Sequence, residues 1–142
     1  MIEWFGGNEH ALSMYENIKV LSHIWDDIVD KDRDLPDEDI NKAFSIALLN
    51  LPANPFYYEI LPHILPFWEM VISSYETANH FEATKDAHGI EIAHSLRYAA
   101  GHIVAFAIIR CVGWEKSKEY LPLMWKDVFF ERFDEYREEH LG

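Results

Sequence analysis

The apolar residues of this chain recur every three or four positions. Ala11, Met14, Ile18, Leu21, Trp25 and Ile28 form one seam, and Ile92, Leu96, Ala100, Ile103, Val104 and Ala107 form another. That spacing aligns side chains along one side of an α-helix. Strand-like alternation is absent from the sequence, so a sheet-based fold is not expected. The expected class is all-α, a single bundle of five or six helices spanning residues 1–142. With 142 residues, 49% of them apolar and 15% aromatic, the chain has the material for one core.

Punctuation places the helices. Asn8 reads as the N-cap of a first helix that runs to Lys31. Pro36 suits the first turn of a second helix, with Asp37, Glu38 and Asp39 favoured at its positive end. That helix continues to Leu51, where Pro52-Ala53-Asn54-Pro55 breaks the chain. A short helical piece is expected next, then a helix from Pro62 to Phe81, and a fifth from Thr84 to Val112 with Gly113 as its stop. Ala99, Ala100 and Gly101 would let another helix approach closely. The last helix is expected to break at Pro122.

The charge excludes one class of function. Asp and Glu total 25 against 12 Lys and Arg, a formal charge of −13, which repels the phosphates of DNA or RNA. Cations and basic proteins remain possible partners. The single cysteine, Cys111, gives no internal disulfide. No signal-peptide pattern opens the chain, and its longest apolar run, Ile103 to Ile109, is too short to span a bilayer. A cytoplasmic protein without membrane contact is expected.

Three helices carry polar stripes in which carboxylate and imidazole mix. The first holds Glu16, His23, Asp26, Asp27 and Asp30; a later one holds Glu69, Ser73, Glu76 and His80; the next holds Glu91, His94, Tyr98 and His102. Converging inside the bundle, these faces would suit a divalent metal. Pointing outwards, they would be solvated surface. The densest group is Asp26, Asp27 and Asp30, a D-D-x-x-D in which Asp26 and Asp30 lie one turn apart. Three neighbouring carboxylates repel one another, and a cation would relieve that cost.

D-D-x-x-D resembles the first aspartate-rich motif of isoprenoid diphosphate synthases and terpene synthases. The resemblance implies Mg²⁺ ligation by Asp26 and Asp30 and a diphosphate held by the ion. The second such motif and the N-x-x-x-S-x-x-x-E element are absent, and the chain is roughly half the length those enzymes use for an enclosed apolar pocket. Trp25-Asp26-Asp27-Ile28-Val29-Asp30-Lys31-Asp32, followed by Asn54-Pro55-Phe56-Tyr57, resembles a group of uncharacterised all-helical phage and prophage proteins. That resemblance covers the first 60 residues or so and implies no activity; a phage-encoded chain would work in the bacterial host cytoplasm.

Other local patterns depart from their families. Asp30, Asp32 and Asp34 match the start of an EF-hand loop, but Leu35 and Asn41 stand where Gly and Glu belong. Glu91-Ile92-Ala93-His94 is one E-x-x-H, of which di-iron bundles need two. A non-redox carboxylate site, as in all-helical nucleotide pyrophosphohydrolases, would use similar residues. Arg97 and His102 fit the R-x4-H of HEPN ribonucleases, yet fall about 140° apart on an ideal helix. Trp125, Phe129, Phe130, Phe133 and Tyr136 read as core or as a homodimer seam.

Two functions follow. The first is a divalent-metal-binding protein, using Mg²⁺ or Mn²⁺, that acts on or holds a phosphorylated small molecule. Asp26, Asp27 and Asp30 would be its primary ligands, Glu76, His80, Glu91 and His94 would support them, and Arg97 would meet phosphate. The second is a non-enzymatic acidic interaction protein, of phage accessory or inhibitor type, bound to a basic or nucleic-acid-binding host protein. Convergence of the stripes favours the first, and exposure favours the second.

Overall fold

The computed structural model describes residues 1–30 and 34–142. Among them there is no strand, and five helices reach ten residues or more. A 3₁₀ turn at Ile2–Phe5 leads into α1, Glu9–Asp30. α2, Asp37–Ser45, passes into a π-helical turn at Ile46–Asn50 and then the short α3, Leu51–Ala53. The long α4 is Pro55–Thr84, followed by α5, Ala87–Leu96, and α6, Gly101–Val112. α7, Trp114–Val128, and α8, Phe133–Leu141, complete the chain.

The caps follow the sequence chemistry. The Asn8 side chain accepts from the His10 and Ala11 amides at the head of α1. Asn54 does the same for α4, accepting from Phe56 and Tyr57, while its own amide donates to the His10 carbonyl and ties two helix starts together. Gly113, at φ 88°, ends α6 as expected. The expected end of the first helix, Lys31, lies outside the described residues.

Three expected boundaries are corrected. α4 is one helix from Pro55, not a short piece followed by a new start at Pro62. Pro62 and Pro66 are both exposed and one turn apart, so the two carbonyls they leave unbonded fall on the solvated side. Pro122 likewise sits exposed within α7; the chain breaks later, after Phe129 at ψ 71°. The expected fifth helix is divided. Between α5 and α6 the amides of Tyr98, Ala99, Gly101, His102 and Ile103 each bond three residues back rather than four, which tightens the winding.

The main core joins α1, α4, α6 and α7 around Met14, Tyr15, Ile60, Ile103, Ile108 and Met124. A smaller cluster of Ala78, Ile90, Ala93 and Tyr136 seats α5 and α8 on the far end of α4. The α1 seam turns along its length, so that Ile24 is buried and Ile28 is 41% exposed. Asp26 is thereby carried to the flank that faces α5. Residues 87–112 are long and apolar enough to cross a membrane by length and composition, and 56% of the apolar 18-residue window within them is buried in the fold.

Candidate functional site

The last turns of α1, the end of α5 and the segment from Phe130 to α8 enclose a cavity of about 270 Å³. Asp26, Asp27 and Asp30 line one wall, Arg97 and Tyr98 a second, and Glu131, Tyr136 and Glu139 a third. A smaller chamber of about 30 Å³ lies beside it, with Tyr15, Ser22 and Val104 among its walls. Both spaces share His23, Asp26, Arg97, Tyr98 and Phe130.

The Arg97 guanidinium is mostly committed elsewhere. Its Nη2 donates to Glu82 Oε1 at 2.6 Å and also to Asn79 Oδ1, and its Nε donates to Glu82 Oε2 at 3.1 Å. The Tyr136 hydroxyl donates to the same Glu82 carboxylate. Burial by itself would lower the Arg97 pKa, but Glu82 outweighs it and the guanidinium is held above its ordinary range. The remaining nitrogen, Nη1, is shut from solvent with no hydrogen-bond partner.

Asp26 Oδ1 and the Tyr75 hydroxyl share that condition. Tyr75 is clamped between the Trp25 ring, stacked at 4.0 Å, and the Arg97 guanidinium, 5.2 Å from its ring centre. Its hydroxyl lies close enough to pull the Asp26 pKa downwards, but the two are not set in hydrogen-bond geometry. Burial dominates, and the Asp26 carboxyl is pushed up to about 7, with Asp30 and Asp27 adding repulsion. Unpaired buried polar atoms are costly and uncommon in folded proteins, and here three of them cluster at one centre.

The expected ligand set is divided. Asp26, Asp27, Asp30 and Arg97 do share the cavity. Glu76 and His80 are exposed on α4, one residue out of register with Tyr75, Asn79 and Glu82, the row that meets Arg97. Glu91 is exposed and lies 3.8 Å from His88. His94 is buried, and its Nε2 lies 3.0 Å from the Glu131 carbonyl. A carbonyl only accepts, so Nε2 carries the proton in that bond and offers no lone pair to a metal. Tyr98, Phe129, Phe133 and Tyr136 surround the His94 ring at 5.1 to 5.6 Å. Among the described residues no group of three His, Cys, Asp or Glu is arranged to hold a metal ion. The EF-hand-like triplet includes Asp32, which lies outside the described residues.

His94 and Tyr98 have a different task. The Tyr98 hydroxyl accepts from the Glu131 amide at 3.3 Å while His94 takes the Glu131 carbonyl. One peptide segment is held from both sides, which fixes the third wall of the cavity. His102 is exposed, its ring edge-on to Trp125 at 4.9 Å, and does not meet the buried Arg97. Of the last aromatic stripe, Tyr136 is buried and Phe130 is 55% exposed. Phe129 and Phe133 pack on His94, and Trp125 lies over Gly101.

The second surface feature lies on α4. Leu65, Glu69, Ile72 and Glu76 follow one another at four, three and four residues, and all are exposed. Beside them an apolar groove of about 350 Å³ is floored by Leu21, Trp25, Leu51, Tyr57 and Trp68. Phe44, Leu48 and Leu49, on the neighbouring turn, are more than 60% exposed. No protein-family model, no curated protein and no solved structure matches this chain.

Proposed function

We propose that this chain is a non-enzymatic acidic interaction protein, and that its α4 face receives a basic amphipathic helix from another protein. The observation that carries this reading is the exposed row Leu65, Glu69, Ile72 and Glu76 beside the apolar groove. Exposed leucine, isoleucine and phenylalanine gathered beside a groove mark interaction surfaces rather than ordinary exterior. A helix laid in the groove would bury its apolar side against Trp25, Trp68 and Ile72. Its Lys or Arg residues would meet Glu69 and Glu76.

Charge selects the occupant. At −13 overall, two copies of the chain repel one another, whereas a basic partner is drawn in quickly and with strong salt dependence. The imidazole and carboxylate stripe of α4 faces outwards, the orientation that an interaction surface needs.

The test uses a synthetic amphipathic helix of leucine and lysine, a scrambled peptide of the same composition, and a leucine–glutamate counterpart. Trp25 and Trp68 report binding by fluorescence. The amphipathic basic helix is expected to bind at least about tenfold, or ~1.4 kcal/mol, more tightly than the scrambled peptide. Leu65→Ser with Ile72→Ser should remove that preference, and Glu69→Gln with Glu76→Gln should weaken binding and flatten its salt dependence. Equal binding of the two basic peptides would overturn the reading. So would a dimer in sedimentation velocity that the Leu65/Ile72 pair of substitutions dissolves, because the groove would then belong to a second copy.

A further inference from the structure

A cleft of about 610 Å³ opens on the side of α4 turned away from Leu65 and Ile72. Phe67, Met70, Val71 and Ser74 line it from α4, and Ser95, Ala99 and His102 line it at steps of four and three from α5 into α6. Trp125 and Phe129, one turn apart, add the end of α7. Gly101 carries no Cβ, so the Trp125 indole rests directly against it. Ala99 offers only a methyl where a longer side chain would fill the space. We infer that this cleft binds a flat, uncharged aromatic molecule with a hydrogen-bonding group at its edge. The site stands apart from the α4 groove and does not rest on the function proposed for it.

The rings on the walls select an aromatic occupant. His102, Trp125, Phe129 and Tyr98 follow one another at centroid distances of 4.9, 6.0 and 4.1 Å, inclined by 71°, 53° and 32°. A further ring joining such a series gains edge-to-face or offset contacts beyond the area it buries, and a saturated body of the same size does not. Phe67 adds a fifth ring from α4. Met70, 53% exposed, has the unbranched side chain that moulds itself to a ligand and favours contact with aromatic edges.

Charge and size narrow the class further. Among the described residues that line the cleft there is no Asp, Glu, Lys or Arg, so a charged group would lose its water without a counter-charge to replace it. An anion is also opposed by the net charge of −13. A basic helix, the occupant proposed for the α4 groove, finds no carboxylate here. The polar side chains are Ser74, half-buried, with Ser95 and His102, both exposed, one from each of three helices. Hydroxyl and neutral imidazole both donate and accept, which suits a hydroxyl, carbonyl or amide on the ligand's edge. The volume falls within the range of about 300–1,000 Å³ common to small-molecule pockets, as does an apolar lining with a few polar groups.

Titration calorimetry and thermal unfolding on the full chain at neutral pH test the inference. The probe is naphthol, compared with decahydronaphthol (the same carbon skeleton, saturated and no longer flat), the naphthoate anion and the naphthylmethylammonium cation. Naphthol is expected to bind saturably and raise Tm, and each of the other three to bind at least about tenfold more weakly. Ala99→Leu fills the cleft and should weaken naphthol at least about tenfold while retaining its circular dichroism and its affinity for the basic helix peptide. Ser74→Leu fills the cleft from α4 and serves as the second variant if Ala99→Leu misfolds, with the same loss expected. The inference fails if naphthol does not bind, if decahydronaphthol or either charged relative binds as tightly, or if both variants bind naphthol as the parent does. It fails also if sedimentation velocity shows a dimer that Ala99→Leu dissolves, because a second copy would then fill the cleft.

Discussion

Arg97 holds Glu82 by two parallel N–H···O bonds, Nη2 to Oε1 at 2.6 Å and Nε to Oε2 at 3.1 Å. Their side chains are only 6% and 12% exposed. The pair ties the end of α5 to the last turns of α4, and through Tyr136 it also holds α8. Two charges taken out of water are costly, and the pair is stable only because each compensates the other.

Removing one partner should therefore be severe. Glu82→Ala leaves the Arg97 guanidinium buried and unpaired, and is expected to cost about 3–5 kcal/mol in urea unfolding. Glu82→Met combined with Arg97→Met should recover most of that loss. A single-variant loss within about 0.5 kcal/mol, the range of ordinary surface substitutions, would show that the pair contributes nothing.

Asp26 predicts an unusual pH response. Its folded pKa, about 7, stands above the unfolded value of 3.8. Between those values the folded state binds more protons than the unfolded state, so this group makes stability fall as pH rises from about 4 to 7. Asp26→Asn removes the penalty. The variant should be more stable than the parent at pH 8, by up to a few kcal/mol at ~1.4 kcal/mol per unit, and the gap should close by pH 4. Chemical unfolding of both proteins at the two pH values checks this; a gap that does not change with pH would assign the orphaned carboxyl no role in stability.

Helical periodicity made the fold class legible, because an apolar residue every three or four positions has one physical solution. Asn8 and Gly113 marked helix ends correctly, since each acts through local chemistry alone. The prolines misled: Pro62, Pro66 and Pro122 interrupt backbone bonds, but exposure lets water take the freed carbonyls, and exposure is a tertiary property. The division between α5 and α6 has no local breaker and was invisible for the same reason. Asp26, Asp27, Asp30 and Arg97 were legible as a charged group, and they do share a cavity. The row Tyr75, Asn79 and Glu82 was missed because the neighbouring stripe of Glu76 and His80 has the same helical spacing and richer chemistry. Only packing against Trp25 and Arg97 tells the two rows apart.

Asn54 should be the costliest cap to lose. It is 7% exposed, accepts from two amides at the head of α4 and donates to the His10 carbonyl at 2.8 Å. An N-cap change to Ala costs about 0.5–2 kcal/mol, and the lost hydrogen bond to the His10 carbonyl adds about 0.5–1.5. Asn54→Ala is expected at the upper end of these ranges, with Asn8→Ala, exposed and bonded only within its own turn, near the lower end. Thermal melts of the two variants side by side check the order.

Gly101 is required by Trp125. A Cβ at position 101 would lie 2.4 Å from the indole Cζ3 and 2.8 Å from Cη2, well inside van der Waals contact. Alanine would gain up to about 1 kcal/mol in helix propensity at an interior position, and less here, where Gly101 opens α6. Forcing a methyl against a packed ring costs about 1–3 kcal/mol. His102 and Phe129 flank the ring at centroid distances of 4.9 and 6.0 Å and hinder its retreat. Overpacking should therefore win, and Gly101→Ala is expected to lower stability by about 1–2 kcal/mol and shift the tryptophan emission. Trp125→Leu in the same chain makes room for the methyl, so the double variant should be less destabilised than the sum of the singles. If Gly101→Ala instead raises Tm, the indole is mobile and the α6–α7 contact is looser than the packing at Gly101 requires.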